Sequence, residues 1–188
     1  MDNPMEVLIS AADIQRRVCE LGKQIARDHP DSTPLLVGVL NGCILFVADL
    51  MKALPIPHEI DFVSISSYRA SAESSRSPRL LKDLEKDVVG RDLVLVEDIV
   101  DSGHTLAFLR EALLRRGPRR VKIATLLDKP SRREREVPLD YIGFSVPDRF
   151  VVGYGLDYAE RFRHLPYVAA LTEAEIEAER AARQAGTA

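Results

Sequence analysis

One stretch of this 188-residue chain constrains the fold more than any other. Residues 93–100 have the sequence LVLVEDIV, and residues 101–105 continue as DSGHT. Four apolar residues, two acids and a small-residue turn predict a buried parallel strand, a tight loop and a helix that begins near Thr105. Such a junction points backbone N–H groups and the positive end of a helix dipole at an anion. Acidic side chains beside an anion site indicate that the site also binds a hydroxyl group, a cation or a proton.

Composition and charge narrow the classes of function. Apolar residues make up 46% of the chain, and the net charge of −3 predicts no general attraction to nucleic acid or to membranes. The sequence lacks an apolar run of membrane-spanning length, and its first residues do not resemble a signal peptide. Cys19 and Cys43 match no metal-ligand spacing. We expect one domain over residues 1–188, located in the cytoplasm.

Strands and helices are predicted to alternate along the chain. The predicted helices follow Ser10 and cover 43–54 and about 105–116, and the predicted strands cover 35–40, 60–67, 93–97, 121–127, 141–144 and 150–152, with a short pairing at 80–81. This order predicts an α/β fold with a mostly parallel central sheet and helices on both faces. The tail over 172–188 is predicted to be a solvated helix or a frayed end.

Ligands of such sheets bind beyond the carboxyl ends of the strands. Four candidate segments lie at those ends, at residues 41–42, 97–105, 128–129 and 151–157. Their convergence on one edge is a stronger argument for a site than any single motif.

These segments resemble the phosphoribosyl-pyrophosphate signature of the type I phosphoribosyltransferases, most closely the bacterial hypoxanthine-guanine branch. The resemblance runs from about Leu36 to Val168 and includes the run FVVGYGLDY at 150–158. It implies that a 6-oxopurine nitrogen attacks the anomeric carbon of phosphoribosyl pyrophosphate, giving IMP, or GMP from guanine, and pyrophosphate. It also implies Mg²⁺ as cofactor, a small hood region, a mobile lid loop, and assembly as a homodimer or homotetramer.

The resemblance assigns the 5′-phosphate to the loop after the acidic strand end. The expected phosphate-binding residues are Asp101, Ser102, Gly103, His104 and Thr105. Asp101 is also expected to be the general base that takes the purine proton, although it could instead shape the turn. An ordinary helix N-cap is the alternative for the whole loop, and His104 receives no catalytic role.

Two adjacent acids are expected to bind the ribose. Glu97 and Asp98 would accept the 2′- and 3′-hydroxyl protons and, with Asp157, would lie on the metal side of the site. Mg²⁺ would keep several waters and few direct protein ligands. The alternative is a structural acid pair at a strand end, which would be unfavourable without partners.

Purine binding is expected of Lys129, Phe150, Val151 and Asp157. Lys129 would donate to the 6-oxo group and disfavour a 6-amino group, Phe150 would stack on the ring, and Val151 would offer backbone contacts. The alternatives are a surface lysine and a core strand with Phe150 buried and Asp157 capping a turn.

Pyrophosphate is expected to contact Leu40, Asn41, Gly42 and Arg163. Relatives often have a cis peptide bond in the first of these segments, and many carry lysine at the position of Asn41. Asparagine removes that charge, so any phosphate contact there would come from backbone amides.

A polar, Ser-rich loop over residues 68–79 is expected to be the lid. Ser67 and Tyr68 open it and would close over the site, excluding water from the reactive anomeric carbon. Residues 70–78 depart from the pattern of the relatives, and a surface loop with no role is the alternative.

Two other functions are compatible with the sequence. A related enzyme could use xanthine or a pyrimidine, although Lys129 and Phe150 favour a 6-oxopurine. A nucleic-acid-binding regulator could use the basic cluster, which comprises the arginines at 115, 116, 119 and 120 and those within 132–135. The net negative charge favours a solvated face or subunit contact instead. The sequence does not decide among hypoxanthine, guanine and xanthine.

Overall fold

The computed structural model describes residues 5–65 and 78–185, with side chains described as far as residue 181. Both expected lid residues, Ser67 and Tyr68, and most of the lid loop lie outside the described residues. Within those two ranges, no helix combines the length and the apolar character needed to cross a membrane.

Helices and strands alternate as expected. The helices are α1 (Ala11–Asp28), α2 (Ile44–Ala53), α3 (His104–Leu114) and α4 (Glu173–Ala185). The strands are β1 (Glu6–Ile9), β2 (Leu35–Leu40), β3 (Glu59–Ile65), β4 (Leu80–Lys82), β5 (Asp92–Val100), β6 (Arg120–Asp128), β7 (Tyr141–Ser145), β8 (Phe150–Val152) and β9 (Val168–Leu171).

The central sheet has six strands in the order β4-β3-β2-β5-β6-β7. All neighbouring strands are parallel except β4, which runs antiparallel to β3. In the register of the sheet, Val96 of β5 lies opposite Gly38 of β2 and Ala124 of β6. The acids that follow Val96 therefore lie at the carboxyl edge, where ligands bind to parallel sheets.

Each face of the sheet has its own apolar core, which confirms the predicted α/β layering. On one face α1 and α2 pack against the sheet, and the apolar stripe Ile14, Val18, Leu21 and Ile25 of α1 is at most 1% exposed. On the other face α3 contributes Leu106, Leu109 and Leu113. Burying side chains of this size stabilises the fold by about 1.5–3 kcal/mol each.

A second, antiparallel sheet with the order β1-β9-β8 forms the hood sheet. The sequence predicted β8 at 150–152 but neither β1 nor β9. Ala169 and Ala170 have low strand propensity, so their local sequence gives little signal. Pairing with β1, which lies near the other end of the chain, decides their conformation.

A buried carboxylate holds the amino end of the central sheet together. Asp92 has no exposed side-chain area, and it accepts hydrogen bonds from Arg119 Nε at 2.8 Å, Arg120 Nη2 at 2.8 Å and Ser32 Oγ at 2.7 Å. The bonds from Arg119, and then from Arg120 and Ser32, hold the pKa of Asp92 below its usual range despite burial. Asp92 therefore joins the starts of β5 and β6 to the segment before β2.

Replacing this carboxylate tests its contribution to stability. A carboxyl whose pKa is lowered by folding stabilises the protein above the usual Asp range and loses that effect as the pH falls. Asp92→Asn should lower the free energy of unfolding by about 1–3 kcal/mol at pH 7, with a smaller difference at roughly pH 3. Urea unfolding at both pH values measures this, with the exposed Glu85→Gln as a control expected to be nearly neutral. Equal stability of Asp92→Asn and the unaltered protein at pH 7 would contradict the assignment.

Candidate active site

The loop between β5 and α3 is the expected phosphate loop, and its backbone shape depends on Gly103. Gly103 has a φ of 87° and directly precedes α3. A Cβ at this position would lie 2.3 Å from the carbonyl oxygen of Arg135. Within the described part of the chain, no side chain caps the start of α3. The ordinary side-chain N-cap is therefore not formed, and the first N–H groups of a helix lack intrahelical acceptors.

Residues 133–135, which follow β6, form hydrogen bonds to this loop and are called the supporting segment. The carbonyl oxygen of Ser102 accepts hydrogen bonds from the backbone N–H groups of Glu134 at 3.0 Å and Arg135 at 2.9 Å. Arg133 is nearly buried, donates to the carbonyl of Asp101 at 3.1 Å, and pairs with Asp128. The sequence did not predict these contacts, because they join residues about 30 positions apart and Arg133 stands out only as part of a basic cluster.

His104 is the first residue of α3 rather than a residue of the loop. The prediction that the helix begins near Thr105 is therefore one residue late. His104 Nε2 lies 3.0 Å from the carboxylate of Glu134, on the supporting segment. His104 keeps 34% and Glu134 keeps 70% of the side chain exposed, so this contact lies at the protein surface.

Two cavities meet at Asp101. The smaller, of about 210 Å³, is lined by Leu40, Glu97, Ser102, Gly103 and Thr105, among others. The larger, of about 730 Å³, is lined by Lys129, Phe150, Val151, Leu156 and Asp157, among others. Both include Ile99 and Asp101 in their walls. Asp101 keeps 47% of its side chain exposed, and its Oδ1 lies 3.2 Å from Arg132 Nε.

The adjacent acids at the end of β5 are desolvated. Glu97 Oε2 is buried and accepts no hydrogen bond from any described residue. Burial, and then the charge of Asp98, raises the pKa of Glu97 well above its ordinary value. Burial also raises the pKa of Asp98, against the opposing hydrogen bond from the Ile99 amide. An unsatisfied buried carboxylate oxygen is suited to accept a ligand hydroxyl or to face a cation.

Metal ligands are sparse. Among residues 5–65 and 78–181, no group of three or more His, Cys, Asp and Glu side chains is arranged to hold a metal ion. Glu97, which lines the smaller cavity, and the adjacent Asp98 are the desolvated acids at this edge of the sheet. This arrangement fits a cation that binds mainly through its own waters and a substrate, as Mg²⁺ often does.

The loop at Leu40–Gly42 lies between the acids and the turn that follows β8. The peptide bond between Leu40 and Asn41 is cis, as the resemblance implied. A Cβ on Gly42 would lie 1.6 Å from Asp98 Oδ2, and one on Gly155 would lie 2.0 Å from the carbonyl oxygen of Gly42. These two glycines therefore allow three segments that are distant in sequence to meet beside Asp98.

Lys129 and Phe150 both line the larger cavity. Lys129 is 6% exposed, and its Nζ donates to the carbonyl of Arg149 at 2.6 Å. Burial lowers the pKa of Lys129, whereas the charges of Asp101 and Asp148 raise it. Phe150 is 42% exposed, with its ring edge-on to that of Tyr158 at a centroid distance of 5.2 Å. The alternatives of a surface lysine and a buried phenylalanine are therefore wrong.

Asp157 and Arg163 form an ion pair in the turn after β8. Arg163 Nη2 lies 2.9 Å from Asp157 Oδ1, and its Nη1 donates to the carbonyl of Gly155 at 2.8 Å. Asp157 also accepts the backbone N–H of Glu160 at 2.8 Å, so it caps this turn as well as lining the larger cavity. The positive charge of Arg163 also acts on Asp98, where it lowers the pKa and partly opposes the larger increase caused by burial.

Helix α4 contributes residues that the sequence analysis did not assign to the site. Glu173 and Ile176 of α4 line the larger cavity, and so does Thr172, directly before the helix. The composition of the tail indicated only a solvated or frayed end, because contact with a cavity leaves no local signature in an Ala/Glu/Arg-rich helix.

Most arginines of the basic cluster pair with acids. Arg116 pairs with Asp83, Arg119 and Arg120 with Asp92, Arg132 with Asp101, Arg133 with Asp128, and Arg135 with Glu111. Carboxylate partners reduce the positive potential that a nucleic-acid-binding face requires.

Comparison with known proteins agrees with this geometry. Residues 10–159 match the family model of the phosphoribosyl transferase domain. The hypoxanthine phosphoribosyltransferase of Salmonella typhimurium is 51% identical over 170 residues, which cover 89% of this chain and 96% of the relative. The hypoxanthine-guanine phosphoribosyltransferase of Bacillus subtilis is 49% identical over 172 residues, which cover 92% and 96%.

A solved structure gives the same result. The hypoxanthine-guanine phosphoribosyltransferase of Bacillus anthracis matches with a TM-score of 0.85 and 40% identity, covering 90% of this chain and 100% of that one. Sequence and fold thus agree over most of the chain, which belongs to the phosphoribosyltransferase family.

Proposed function

We propose that this protein transfers the phosphoribosyl group of phosphoribosyl pyrophosphate to hypoxanthine, and also to guanine, as a step of purine salvage. The products are IMP or GMP and pyrophosphate. The observation that carries the proposal is the meeting of two chemically different cavities at Asp101. Relatives named for hypoxanthine and for hypoxanthine-guanine transfer support the choice of base.

The smaller cavity suits a ribose 5-phosphate. Backbone N–H groups at the start of α3 and the hydroxyl groups of Ser102 and Thr105 would bind the phosphate. Glu97 and Asp98 would accept hydrogen bonds from the ribose hydroxyls. In their ionised forms they would also stabilise the cationic ribose ring as the bond to pyrophosphate breaks. The loop at Leu40–Gly42 and Arg163 would bind the departing pyrophosphate.

The larger cavity suits a purine. Its volume of about 730 Å³ lies within the usual range for small-molecule pockets. Phe150 offers a partly exposed ring for stacking, while the backbone of Val151 and the side chain of Asp157 would contact the edge of the base. The buried Lys129 would donate to the 6-oxo oxygen, on which negative charge increases during attack.

Asp101 lies where the base meets the ribose. Its carboxylate would accept the proton of the attacking purine nitrogen while that nitrogen forms a bond to the anomeric carbon. Arg132 Nε lies 3.2 Å from Asp101 Oδ1 as an ion pair, but this oxygen accepts no hydrogen bond from the described residues and is available to a proton. Closure over the site by the lid that begins at Ser67 and Tyr68 remains a prediction from the sequence.

Mg²⁺ is the proposed cofactor. Glu97 and Asp98 would hold it, largely through water, with Asp157 farther along the same side of the site. When bound, the ion would neutralise charge on the pyrophosphate group. We further propose a homodimer or homotetramer, which light scattering after size-exclusion chromatography would distinguish from a monomer.

The direct test is a pyrophosphate-release assay. Purified protein with phosphoribosyl pyrophosphate and Mg²⁺ should release pyrophosphate with hypoxanthine and with guanine, and little with adenine or uracil. Xanthine, tested in the same series, defines the preference at the 2-position. Failure of both hypoxanthine and guanine would contradict the proposed function.

The role of Asp101 is tested by Asp101→Asn. This change preserves the shape of the side chain but removes its basicity, so turnover should fall by about 10²–10⁴-fold while IMP affinity is retained. Steady-state kinetics and calorimetry measure the two quantities. Asp83→Asn is the matched control, because Asp83 is similarly exposed and also pairs with an arginine. Turnover near that of the unaltered protein in Asp101→Asn would remove Asp101 from the mechanism.

The role of Lys129 is tested by base selectivity. Lys129→Ala removes a charged donor, so the ratio of kcat/KM for hypoxanthine over adenine should fall by roughly 10- to 100-fold. Lys122→Ala is the control, because this lysine lies on β6, the strand that Lys129 directly follows, and pairs with Asp28 outside the site. An unchanged ratio in Lys129→Ala would exclude Lys129 as the 6-oxo donor.

A further inference from the structure

Helix α4 presents one face to the rest of the protein. Glu175, Ile176 and Glu179 are half-buried, whereas Glu177 and Ala178 are exposed. Spacings of three and four residues place the first group on one side of the helix. This asymmetry differs from the all-round exposure expected of a solvated tail.

The start of α4 is fixed to the hood sheet. Thr172 directly follows β9 and forms a reciprocal cap with Glu175. The N–H of Glu175 donates to Thr172 Oγ1 at 3.2 Å, and the N–H of Thr172 donates to the Glu175 carboxylate at 2.6 Å. The cap sets the direction in which α4 leaves the sheet.

Two polar contacts join the body of α4 to the turn after β8. Arg180 Nε donates to the hydroxyl of Tyr158 at 3.1 Å, and Arg161 Nη1 lies 2.7 Å from Glu179 Oε2. Glu179 keeps only 18% of its side chain exposed, so this ion pair is partly shielded from water. The ring of Tyr158 in turn meets the ring of Phe150 edge-on at 5.2 Å.

The inner face of α4 also borders the larger cavity. Ile176 lines the cavity that contains Lys129 and Phe150. A chain of contacts therefore runs from Arg180 through Tyr158 to Phe150, while Ile176 adds an apolar wall to the same cavity.

We propose that α4 is a wall of the purine pocket, in which Ile176 contacts the base and Arg180 positions Phe150 through Tyr158. This inference rests on the proposed function. Because α4 does not line the smaller cavity, its residues should affect binding of the purine and leave binding of phosphoribosyl pyrophosphate unchanged.

Kinetics of variants in α4 test the proposal. Ile176→Ala and Arg180→Ala should each raise the KM for hypoxanthine by roughly three- to tenfold, with the KM for phosphoribosyl pyrophosphate and the thermal midpoint unchanged. Glu177→Ala, on the outer face of the helix, is the matched control and should match the unaltered protein.

A double-mutant cycle tests the path through Tyr158. Tyr158→Phe keeps the ring but removes the hydroxyl that accepts from Arg180, so it should raise the KM for hypoxanthine as much as Arg180→Ala does. The double variant should be no worse than either single variant, because both remove the same bond. Additive effects would contradict positioning of Phe150 through this bond.

The outcomes separate this proposal from the proposed function. If Phe150→Ala raises the KM for hypoxanthine but neither α4 variant does, the wall assignment is wrong and the enzyme assignment stands. Equal rises in both KM values with a lower thermal midpoint would show a merely structural helix and would also overturn the proposal. Failure of the unaltered protein to release pyrophosphate with any purine would instead contradict the proposed function.

Discussion

The site depends on how the loop after β5 is held before any ligand binds. The Ser102 carbonyl is bound by two backbone N–H groups, and Arg133 binds the Asp101 carbonyl while pairing with Asp128. Gly103 then allows the supporting segment to approach where a side chain would collide with it. Donors that are fixed in advance bind developing or permanent charge without reorganisation, which is why this support matters for catalysis.

Acidic and basic side chains lie on opposite sides of the point where the two cavities meet. Glu97 borders the smaller cavity, with Asp98 next to it, and desolvation raises the pKa of both acids. The buried Lys129 borders the larger cavity, and desolvation lowers its pKa. Desolvation is the largest cause of all three pKa shifts. A ligand that forms hydrogen bonds or an ion pair with one of these groups would therefore stabilise its charged form. In the proposed reaction the ribose becomes more positive and the purine oxygen more negative, which matches this separation.

The sequence was most informative where chemistry and local structure coincide in one segment. The run through β5 and its loop predicted the strand, the turn and the position of the acids, because apolar patterning and small turn residues act locally. Features that depend on distant partners were missed: the pairing of β1 with β9, the support that Arg133 gives to the loop, and the packing of α4 against the cavity. Val168–Leu171 illustrates the reason, because this segment is a strand through its pairing with β1 and β8 and not through the strand propensity of its own residues.

The central claim is that one loop binds the sugar phosphate while Asp101 lies between ribose and base. A crystal structure with bound IMP measures this most directly. The account predicts the phosphate against the backbone N–H groups of residues 102–105, the ribose hydroxyls on Glu97 and Asp98, and the purine beside Lys129 and Phe150. A phosphate bound elsewhere, or a purine that does not enter the larger cavity, would contradict it.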